Sequence, residues 1–501
     1  MPASSAIRAR GARGGHRVKR WLYLTHRWIG IVSCILFAMW FLSGLVMIYV
    51  PYPSLGGAER VAGLLPIDFG RVRVQPGAAA RTAGIAIPER MALEMRADRP
   101  VWRVRDWDGS ERVVDAADGA IAAPAGRDEA ARIASLFAHA PVTRVEPLQR
   151  DQWTVAGGYD RDRPLWKMGV AGTGGREVYV SSRTGAVVLR TDAHQRFWNW
   201  LGSVPHWLYP TVLRQDNAAW RQVVMWVSGP CVAGAVTGMW IGMLRVRMGR
   251  RRFAQGRAIP YHGWMAWHHV AGLVGGVALI AWIFSGWLSV DPFRLFAQRT
   301  ITVEQRMAFA GASSPPRLDL AALSRGAARA RRVELRDVAG RPLLSFSTTS
   351  PSVMIDASTL RRVMPDPAML VAASHRLVPD AAIKSVERLT APDAYWYEIG
   401  DRPPLPVLRV RFDDAAGTWV HIDPATGTYL GLLDNKRRTY RWLFDLLHKW
   451  DLNALNSRRP LWDVVLWLLS AFGLVTSATG IWIAVRRLSR KPARQPAGHG
   501  V

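Results

Sequence analysis

The fold is decided by an apolar stretch near the N-terminus, residues 26–50, which reads HRWIGIVSCILFAMWFLSGLVMIYV. After Arg27 this stretch carries no charged residue, and an apolar helix of about 20 residues is enough to cross the hydrocarbon core of a membrane. Three later stretches are similar in length and character. We therefore expect four membrane-spanning helices, at residues 28–50, 222–244, 264–290 and 461–485.

The basic residues predict how these helices are oriented. They cluster in residues 1–27, 245–263 and 486–501, and Lys and Arg are enriched in the cytoplasmic segments of membrane proteins. If each apolar stretch crosses once, all three clusters lie on one side, so both chain termini are expected in the cytoplasm. The polar segments 51–200 and 291–440 are then expected on the other side, in a periplasm-like space.

The composition fits the same interpretation. The formal net charge is +28, and 24 residues are Trp. Such a charge in a soluble protein would suggest nucleic-acid binding. Here the basic residues adjoin apolar stretches, and Trp concentrates where a membrane meets water. We therefore expect a lipid bilayer as a partner and no nucleic acid.

The two halves of the chain repeat each other. Residues 26–44 align with residues 268–286 without a gap, and this alignment places His26 on His268. The membrane part is therefore expected to consist of two copies of a two-helix unit.

The repeat extends to the segments that precede the second and fourth spans, residues 201–221 and 441–460. His206 and His448 lie at the same distance before a Trp that opens the next span. We expect both segments to lie at the membrane interface, near the outer ends of the spans.

The two polar segments contain a smaller repeated unit, in which a β-rich run is followed by a turn of the type Asp-x-x-x-Gly or a relative of it. Glycine allows positive φ at a hairpin turn, and Asp can accept hydrogen bonds from backbone N–H groups within the turn. We therefore predict an α+β domain in each polar segment. The four units are residues 113–119, 179–185, 354–360 and 421–427.

The turn unit in residues 420–430 resembles the end of a PepSY domain, and the layout from His26 to about Arg487 resembles the PepSY-associated membrane proteins. The most specific matches are residues 200–209, WLGSVPHWLY, and residues 263–269, GWMAWHH. This family includes ferric-siderophore reductases of the bacterial inner membrane that hold two b-type haems. The resemblance implies a location in the inner membrane, two PepSY-like periplasmic domains and redox chemistry.

Four histidines are candidate axial ligands of haem iron. Ionisable groups at membrane depth are costly, so they usually face a bundle interior or a cofactor, and neutral imidazole is a common haem ligand. His26 and His268 suit one haem b between the first and third spans, near the cytoplasmic face. His206 and His448 suit a second haem b near the outer face. An alternative pairs each entry-span histidine with an exit-span histidine.

Other residues could assist these ligands. His269 is the rival of His268, because neighbouring residues point about 100° apart around a helix, and His262 could line the same site. Arg27 could pair with a haem propionate. The candidates for that role at the outer face are Arg196, Arg214 and Arg441.

Several motifs are missing from the sequence. Cys34 and Cys231 are the two cysteines, so the chain has no Cys-x-x-Cys-His site for covalent haem. No dinucleotide-binding glycine motif, Walker loop or hydrolase motif occurs. Electrons would therefore have to come from a cytoplasmic reductase, a small carrier or membrane quinol.

The function expected from this resemblance is the transfer of electrons outward to iron in a ferric siderophore, because reduction weakens hard-oxygen chelation. Arg161, Arg163 and Arg402 lie in two similar turns that are interpreted first as structural hairpins. The alternative is that they help form an outer surface for the anionic chelate. His194, His375 and His421 are interpreted as surface or turn residues. One alternative is a non-redox PepSY membrane protein that regulates or binds a peptidase or another partner. Another is a transporter, which the lack of charged residues deep in the spans disfavours.

Overall fold

The structure is a computed structural model of the 501-residue chain. It describes residues 3–172, 174–327, 329–347, 353–397 and 404–489. The chain divides into two compact units. The helical unit comprises Met1–Pro51, Trp198–Leu295 and Tyr440–Val501, and the β-rich unit comprises Tyr52–Phe197 and Phe296–Thr439.

The chain contains sixteen described α-helices. In chain order they are α1 Ala3–Tyr49, α2 Gly57–Ala62, α3 Pro76–Thr82, α4 Arg127–Ala138, α5 Ala193–Leu201, α6 Ser203–His206, α7 Thr211–Arg214, α8 Asn217–Leu244, α9 Gly263–Leu288, α10 Val303–Ala310, α11 Leu320–Gly326, α12 Pro367–Ser374, α13 Asn435–Tyr440, α14 Leu447–Lys449, α15 Asn453–Asn456 and α16 Leu461–Leu488. Of these helices, α1, α8, α9 and α16 are long and apolar, and the others are short. A π-helical turn, Arg441–Leu446, joins α13 to α14.

Four of the described helices are long and apolar enough to cross a membrane, which agrees with the four predicted spans. They form a bundle in which α1 and α9 each pack against both α8 and α16. The apolar stretches lie at Arg17–Tyr49, Asn217–Leu244, Gly263–Leu288 and Leu461–Leu488.

Small residues let these helices approach closely. A Cβ on Gly473 of α16 would overlap the ring of Phe41 on α1, and one on Gly276 of α9 would overlap Met239 on α8. Close packing of this kind holds helices together where lipid removes the hydrophobic driving force. The centre of the bundle is therefore filled by side chains such as Phe37 and Phe41.

The β-rich unit contains three antiparallel sheets. The strands are β1 Arg90–Arg96, β2 Arg99–Arg105, β3 Glu111–Asp115, β4 Val142–Leu148, β5 Leu165–Val170, β6 Glu177–Ser181, β7 Val187–Thr191, β8 Arg332–Val338, β9 Arg341–Ser347, β10 Val353–Asp356, β11 Ile383–Leu389, β12 Val407–Phe412, β13 Trp419–Ile422 and β14 Tyr429–Leu433. One sheet has the order β10-β9-β8-β1-β2-β3, and the other two have the orders β4-β5-β6-β7 and β11-β12-β13-β14.

The six-stranded sheet corrects the expectation of two separate domains in segments 51–200 and 291–440. Each segment supplies three of its strands, and β1 pairs with β8 in the register that places Met91 opposite Leu335. Each half-sheet would otherwise expose an unpaired edge, so pairing the two edges satisfies their backbone groups. The two polar segments therefore fold as one unit.

Glu94 lies at this β1–β8 junction and is completely buried. Arg332 of β8 donates to it at 2.7 Å, Arg103 donates to its other oxygen, and Arg60 lies 3.4 Å away. Burial alone would raise the pKa of this carboxyl, but Arg103, Arg60 and Arg332 lower it to about 2. The ion pairs therefore join the two halves of the sheet.

The four predicted turn units are present as turns. In the last of them Asp423 accepts the N–H of Ala425 at 2.9 Å, and Gly427 has a φ of 69° between β13 and β14. Leu360 takes the place of the glycine in the third unit and still has a positive φ of 53°. The sequence therefore predicted the local turn chemistry of this unit.

Candidate functional site

His26 and His268 lie at the end of the bundle where α8 stops, here called the Arg245 end. His26 Nδ1 is 3.1 Å from the carbonyl oxygen of Gly234 on α8. His268 Nδ1 is 2.9 Å from the carbonyl oxygen of Thr476 on α16. The two residues of each pair are 208 positions apart in the chain. Because a carbonyl only accepts, each Nδ1 carries the proton and each Nε2 keeps its lone pair.

His206 and His448 lie at the other end of the bundle, here called the Tyr49 end. The hydroxyl oxygen of Ser43 on α1 is 3.1 Å from His206 Nδ1, and that of Ser285 on α9 is 3.0 Å from His448 Nδ1. The Ser43 hydroxyl donates to the Met39 carbonyl at 2.7 Å. Its oxygen is therefore available to accept the Nδ1 proton.

Two tryptophans hold the backbone of these histidines in place. Trp40 Nε1 donates to the carbonyl of His206 at 3.0 Å, and Trp282 Nε1 donates to that of His448 at 2.9 Å. Both bonds span 166 positions in the chain. The internal repeat is therefore kept in the hydrogen bonds around each histidine as well as in the sequence.

The four rings form two pairs. The ring centroids of His26 and His268 are 6.4 Å apart, and those of His206 and His448 are 6.1 Å apart. Imidazole nitrogens bind a first-row metal ion at about 2.0–2.1 Å, so two imidazoles on opposite sides of one ion have centroids about 6 Å apart. No described residue forms a hydrogen bond with Nε2 of these four histidines. Both pairs therefore fit a bis-imidazole haem site.

A glycine of a neighbouring helix lies beside each ring. A Cβ on Gly238 of α8 would lie 2.5 Å from Cε1 of His26, so a larger residue there would displace the imidazole. The glycines are Gly238 beside His26, Gly480 beside His268, Gly44 beside His206 and Gly286 beside His448.

The two histidine pairs lie far apart along the bundle. His26 and Ser43 are on the same helix, and the helical rise between them is about 25 Å at 1.5 Å per residue. Ser43 contacts His206, so this distance approximates the separation of the two sites. It is most of the thickness of a membrane core, which is about 30 Å.

The structure brings His268 rather than His269 next to His26. His269 is 8% exposed and its ring packs 5.1 Å from that of Tyr261, while its Nε2 has no partner among the described residues. His262 contacts Arg257 instead of the ligand site. Arg27 forms no ion pair within the described part of the chain, so its guanidinium remains available to an anionic group.

The three arginines predicted at the outer face have different surroundings. Arg214 stacks on Tyr209 and on Trp220, with its guanidinium 5.1 and 4.8 Å from the ring centres. Arg441 is buried and lies 2.9 Å from Asp451. Arg196 lies in the β-rich unit, where it is 3.2 Å from Glu177.

For Arg163 the structural interpretation agrees with the structure, and the alternative of an outer ligand-binding surface was wrong. Arg163 is buried, and it donates to Asp160 at 2.8 Å and to the Thr154 carbonyl at 2.6 Å, so it does not belong to a ligand-binding surface. Arg161 is exposed, and Arg402 lies outside the described residues.

His421 was expected at the surface or in a turn, and this prediction was also wrong. The residue lies in β13, is 1% exposed and stacks on Trp396 at 4.6 Å. His194 and His375 are exposed, as expected.

Sequence reasoning gave no role to the residues that hold the ligand rings, namely Ser43, Ser285, Trp40 and Trp282. Their signal was present, because each serine and each tryptophan recurs in the repeat at the position of its partner. The chain matches no protein-family model and no curated protein sequence.

Proposed function

We propose that this chain is a membrane protein that binds two b-type haems, one between His26 and His268 and one between His206 and His448, and passes electrons across the membrane. The observation that carries the proposal is the pair geometry. Both ring pairs have the spacing of a bis-imidazole metal site, every Nδ1 has a hydrogen-bond acceptor, and no Nε2 has a hydrogen-bond partner among the described residues.

The number of protein ligands supports haem over a bare metal ion. Structural metal ions usually take four or more protein ligands, and no group of three or more His, Cys, Asp or Glu side chains suited to a metal occurs in the described residues. Two imidazoles would be sufficient where a porphyrin supplies the remaining donors. The hydrogen bond that each Nδ1 donates orients the ring and increases the basicity of Nε2.

The arrangement of the sites supports transfer across a membrane. Haem, when bound, supplies reversible one-electron chemistry. The histidine pairs lie at opposite ends of a bundle whose core contains Phe37 and Phe41. The chain thus offers one ligand pair near each membrane face and excludes water between them.

The orientation and the acceptor are part of the same proposal. Basic residues at the Arg245 end, in residues 245–257, favour a cytoplasmic position for that end. Electrons from a cytoplasmic or quinol donor would then enter at His26 and His268 and leave at the periplasmic face. The resemblance to ferric-siderophore reductases favours ferric siderophore iron as the acceptor and the bacterial inner membrane as the location.

Optical spectroscopy tests the haem assignment. We expect the protein, expressed with ample haem and purified in detergent, to show oxidised and dithionite-reduced b-type spectra and to yield two haems per chain by the pyridine haemochrome method. His206→Ala and His448→Ala should each remove the same spectral component. His26→Ala and His268→Ala should each remove the other, and the control His269→Ala should keep both.

The same spectra distinguish the proposed haem protein from the non-redox alternative. A colourless protein, or a His206→Ala/His448→Ala double variant that keeps its full pigment, would overturn the proposal. A colourless protein would favour the non-redox alternative, in which the chain binds a peptidase or another partner. The acceptor is tested separately, by reduction of a ferric siderophore outside proteoliposomes that contain an electron donor, followed with a ferrous-specific chelator.

A further inference from the structure

The β-rich unit contains a cluster of charged residues on the sheet β4-β5-β6-β7. Glu177 of β6 lies 3.1 Å from Lys167, 3.2 Å from Arg196 and 3.5 Å from Arg144. Lys167 also lies 3.4 Å from Asp151. One carboxylate therefore stands among three cations.

The sheet β11-β12-β13-β14 carries the matching cluster of the second half. Arg438 donates to the Gly417 carbonyl at 2.8 Å, as Arg196 donates to the Gly175 carbonyl at 2.8 Å, and both bonds span 21 positions. These bonds identify Arg438 as the counterpart of Arg196.

The strand register identifies a second pair of counterparts. Arg409 pairs with Asp393 at 2.6 Å and lies opposite His421 in the sheet. Lys167 pairs with an aspartate in the same way and lies opposite Tyr179. Arg409 is therefore the counterpart of Lys167.

Among the described residues, the second cluster has no carboxylate at the position of Glu177. The register of the strands places Glu177 opposite Gly169 in the first half and Trp419 opposite Arg411 in the second. The Trp419 indole thus occupies the position that the Glu177 carboxylate has in the first half. The Arg411 guanidinium extends from the position that Gly169 has there. The guanidinium carbons of Arg409, Arg411 and Arg438 lie 4.8, 4.7 and 4.1 Å from the Trp419 ring centre.

The charges of the two clusters therefore differ. The first has three cations and three carboxylates, which are Arg144, Lys167 and Arg196 with Glu146, Asp151 and Glu177. In the part of the chain that the structure describes, the second has three cations and two carboxylates paired with them, which are Arg409, Arg411 and Arg438 with Glu387 and Asp393.

Arg438 forms no ion pair among the described residues, although the Asp434 carboxylate interacts with it electrostatically. Within the described residues its hydrogen bonds go to uncharged oxygens, including the Leu433 carbonyl at 3.1 Å and the Gly417 carbonyl at 2.8 Å. Arg411 keeps 36% of its side chain exposed. The cluster is therefore accessible to solutes through Arg411, whereas Arg409 is buried at its base.

We propose that the cluster formed by Arg409, Arg411, Arg438 and Trp419 binds an anionic ligand that presents a carboxylate to the guanidinium groups. The first half supports this, because there the chain's own Glu177 carboxylate occupies the centre of the equivalent cations. Arginine binds carboxylates through charge-assisted and often bidentate hydrogen bonds. This inference goes beyond the proposed electron transfer and does not depend on haem.

Citrate is the probe for this site. We expect citrate to raise the thermal unfolding temperature of the full-length protein in a saturable manner, since a ligand that binds the folded state stabilises it. Sodium chloride at equal ionic strength should not reproduce the effect, because screening acts without a saturable site. An equal rise with sodium chloride would overturn the inference.

Two substitutions of Trp419 test whether citrate binds at the place that corresponds to the Glu177 carboxylate. Trp419→Glu supplies the carboxylate that the first half has, so it should raise the unfolding temperature without citrate and weaken citrate binding roughly tenfold or more. The control Trp419→Phe keeps the aromatic ring and the cations and should bind citrate as the natural chain does. An unchanged citrate response in Trp419→Glu would also overturn the inference.

A further variant covers the case in which Trp419→Glu does not fold. Arg411→Gly introduces glycine, which the first half has at the equivalent position 169. It removes one exposed cation and leaves the ion pair of Arg409 and Asp393 intact. It should fold and weaken citrate binding roughly tenfold. Retained affinity in this variant would count against the site. Haem content, measured on the same samples, should be unchanged, which separates this inference from the proposed redox function.

Discussion

The imidazole rings of His206 and His448 lie 6.1 Å apart, centroid to centroid, with an interplanar angle of 71°. Each ring comes from a short helix, α6 or α14, and each Nδ1 is held by a serine of a different long helix. A ligand bridging both Nε2 atoms would therefore join the two halves of the repeat. The same relationship recurs at the Arg245 end, where His26 and His268 have backbone carbonyls as partners.

Removal of a serine hydroxyl is expected to weaken one of the two proposed haem sites selectively. In Ser285→Ala the His448 Nδ1 proton loses its acceptor, and loss of such a partner typically costs about 10- to 100-fold in metal affinity. We expect haem at the His206 and His448 pair to be lost more readily and its midpoint potential to shift. Haem transfer to an apo-protein acceptor and redox titration measure these effects.

Ser289→Ala is the matched control, because the Ser289 hydroxyl donates to the Gly286 carbonyl and does not contact a histidine. Equal changes in both variants would contradict the role given to Ser285.

A methyl group at Gly238 is expected to displace His26. The added Cβ would lie 2.5 Å from His26 Cε1, whereas a Cβ on Gly30 would meet nothing within 4 Å. We therefore expect Gly238→Ala to lose the spectral component that His26→Ala also loses, while Gly30→Ala keeps it. Reduced-minus-oxidised difference spectra measure the component. Full retention of that component in Gly238→Ala would show that the ring position is not critical.

Substitution of Glu94 is expected to destabilise the β-rich unit. Glu94→Gln leaves Arg103 and Arg332 buried without their shared carboxylate, and breaking a buried pair costs about 3–5 kcal/mol. The control is Asp380→Asn, since this carboxylate is 88% exposed and its ion pair at 3.9 Å contributes little. Hydrogen exchange of the β1 and β8 amides reports on the junction directly. Equal protection in both variants would be evidence against the role of Glu94.

The same carboxyl is expected to give the stability an acid-sensitive component. The pKa of Glu94 falls from its ordinary value of 4.5 to about 2 in the folded chain, since burial is outweighed by the three guanidinium groups. Its stabilising contribution is therefore complete above pH 4.5 and is lost as the pH falls from 4.5 toward 2. Glu94→Gln should flatten this part of the profile of unfolding temperature against pH.

His421 is expected to make the protein less stable as the pH falls below 6.5. Burial, together with Arg409, lowers the pKa of His421 to about 3. The unfolded chain then takes up a proton between pH 6.5 and 3 that the folded chain does not, which costs about 1.4 kcal/mol for each pH unit. His421→Tyr, the residue of the first half, should reduce this slope.

The measurement for His421 is best made between pH 6.5 and 4.5, above the range in which Glu94 titrates. His375→Tyr serves as the control, because His375 is exposed. A slope that His421→Tyr leaves unchanged would show that another group causes it.

The sequence alone determined the four apolar helices, the turns of the β-rich unit and the repeat that makes His26 equivalent to His268 and His206 equivalent to His448. These features are encoded locally, because the length of an apolar run, the turn residues and the spacing of a repeat do not depend on distant contacts. The boundaries of α9 and α16 lie within a few residues of the prediction for the same reason.

The tertiary structure decided the rest. It placed His268 rather than His269 beside His26, because neighbouring side chains on a helix point about 100° apart and only the packing of α9 in the bundle fixes which of the two rings lies there. It joined the two polar segments through β1 and β8 and buried Glu94 and His421. These outcomes depend on contacts between residues far apart in the chain, which hydrophobic pattern and spacing do not specify.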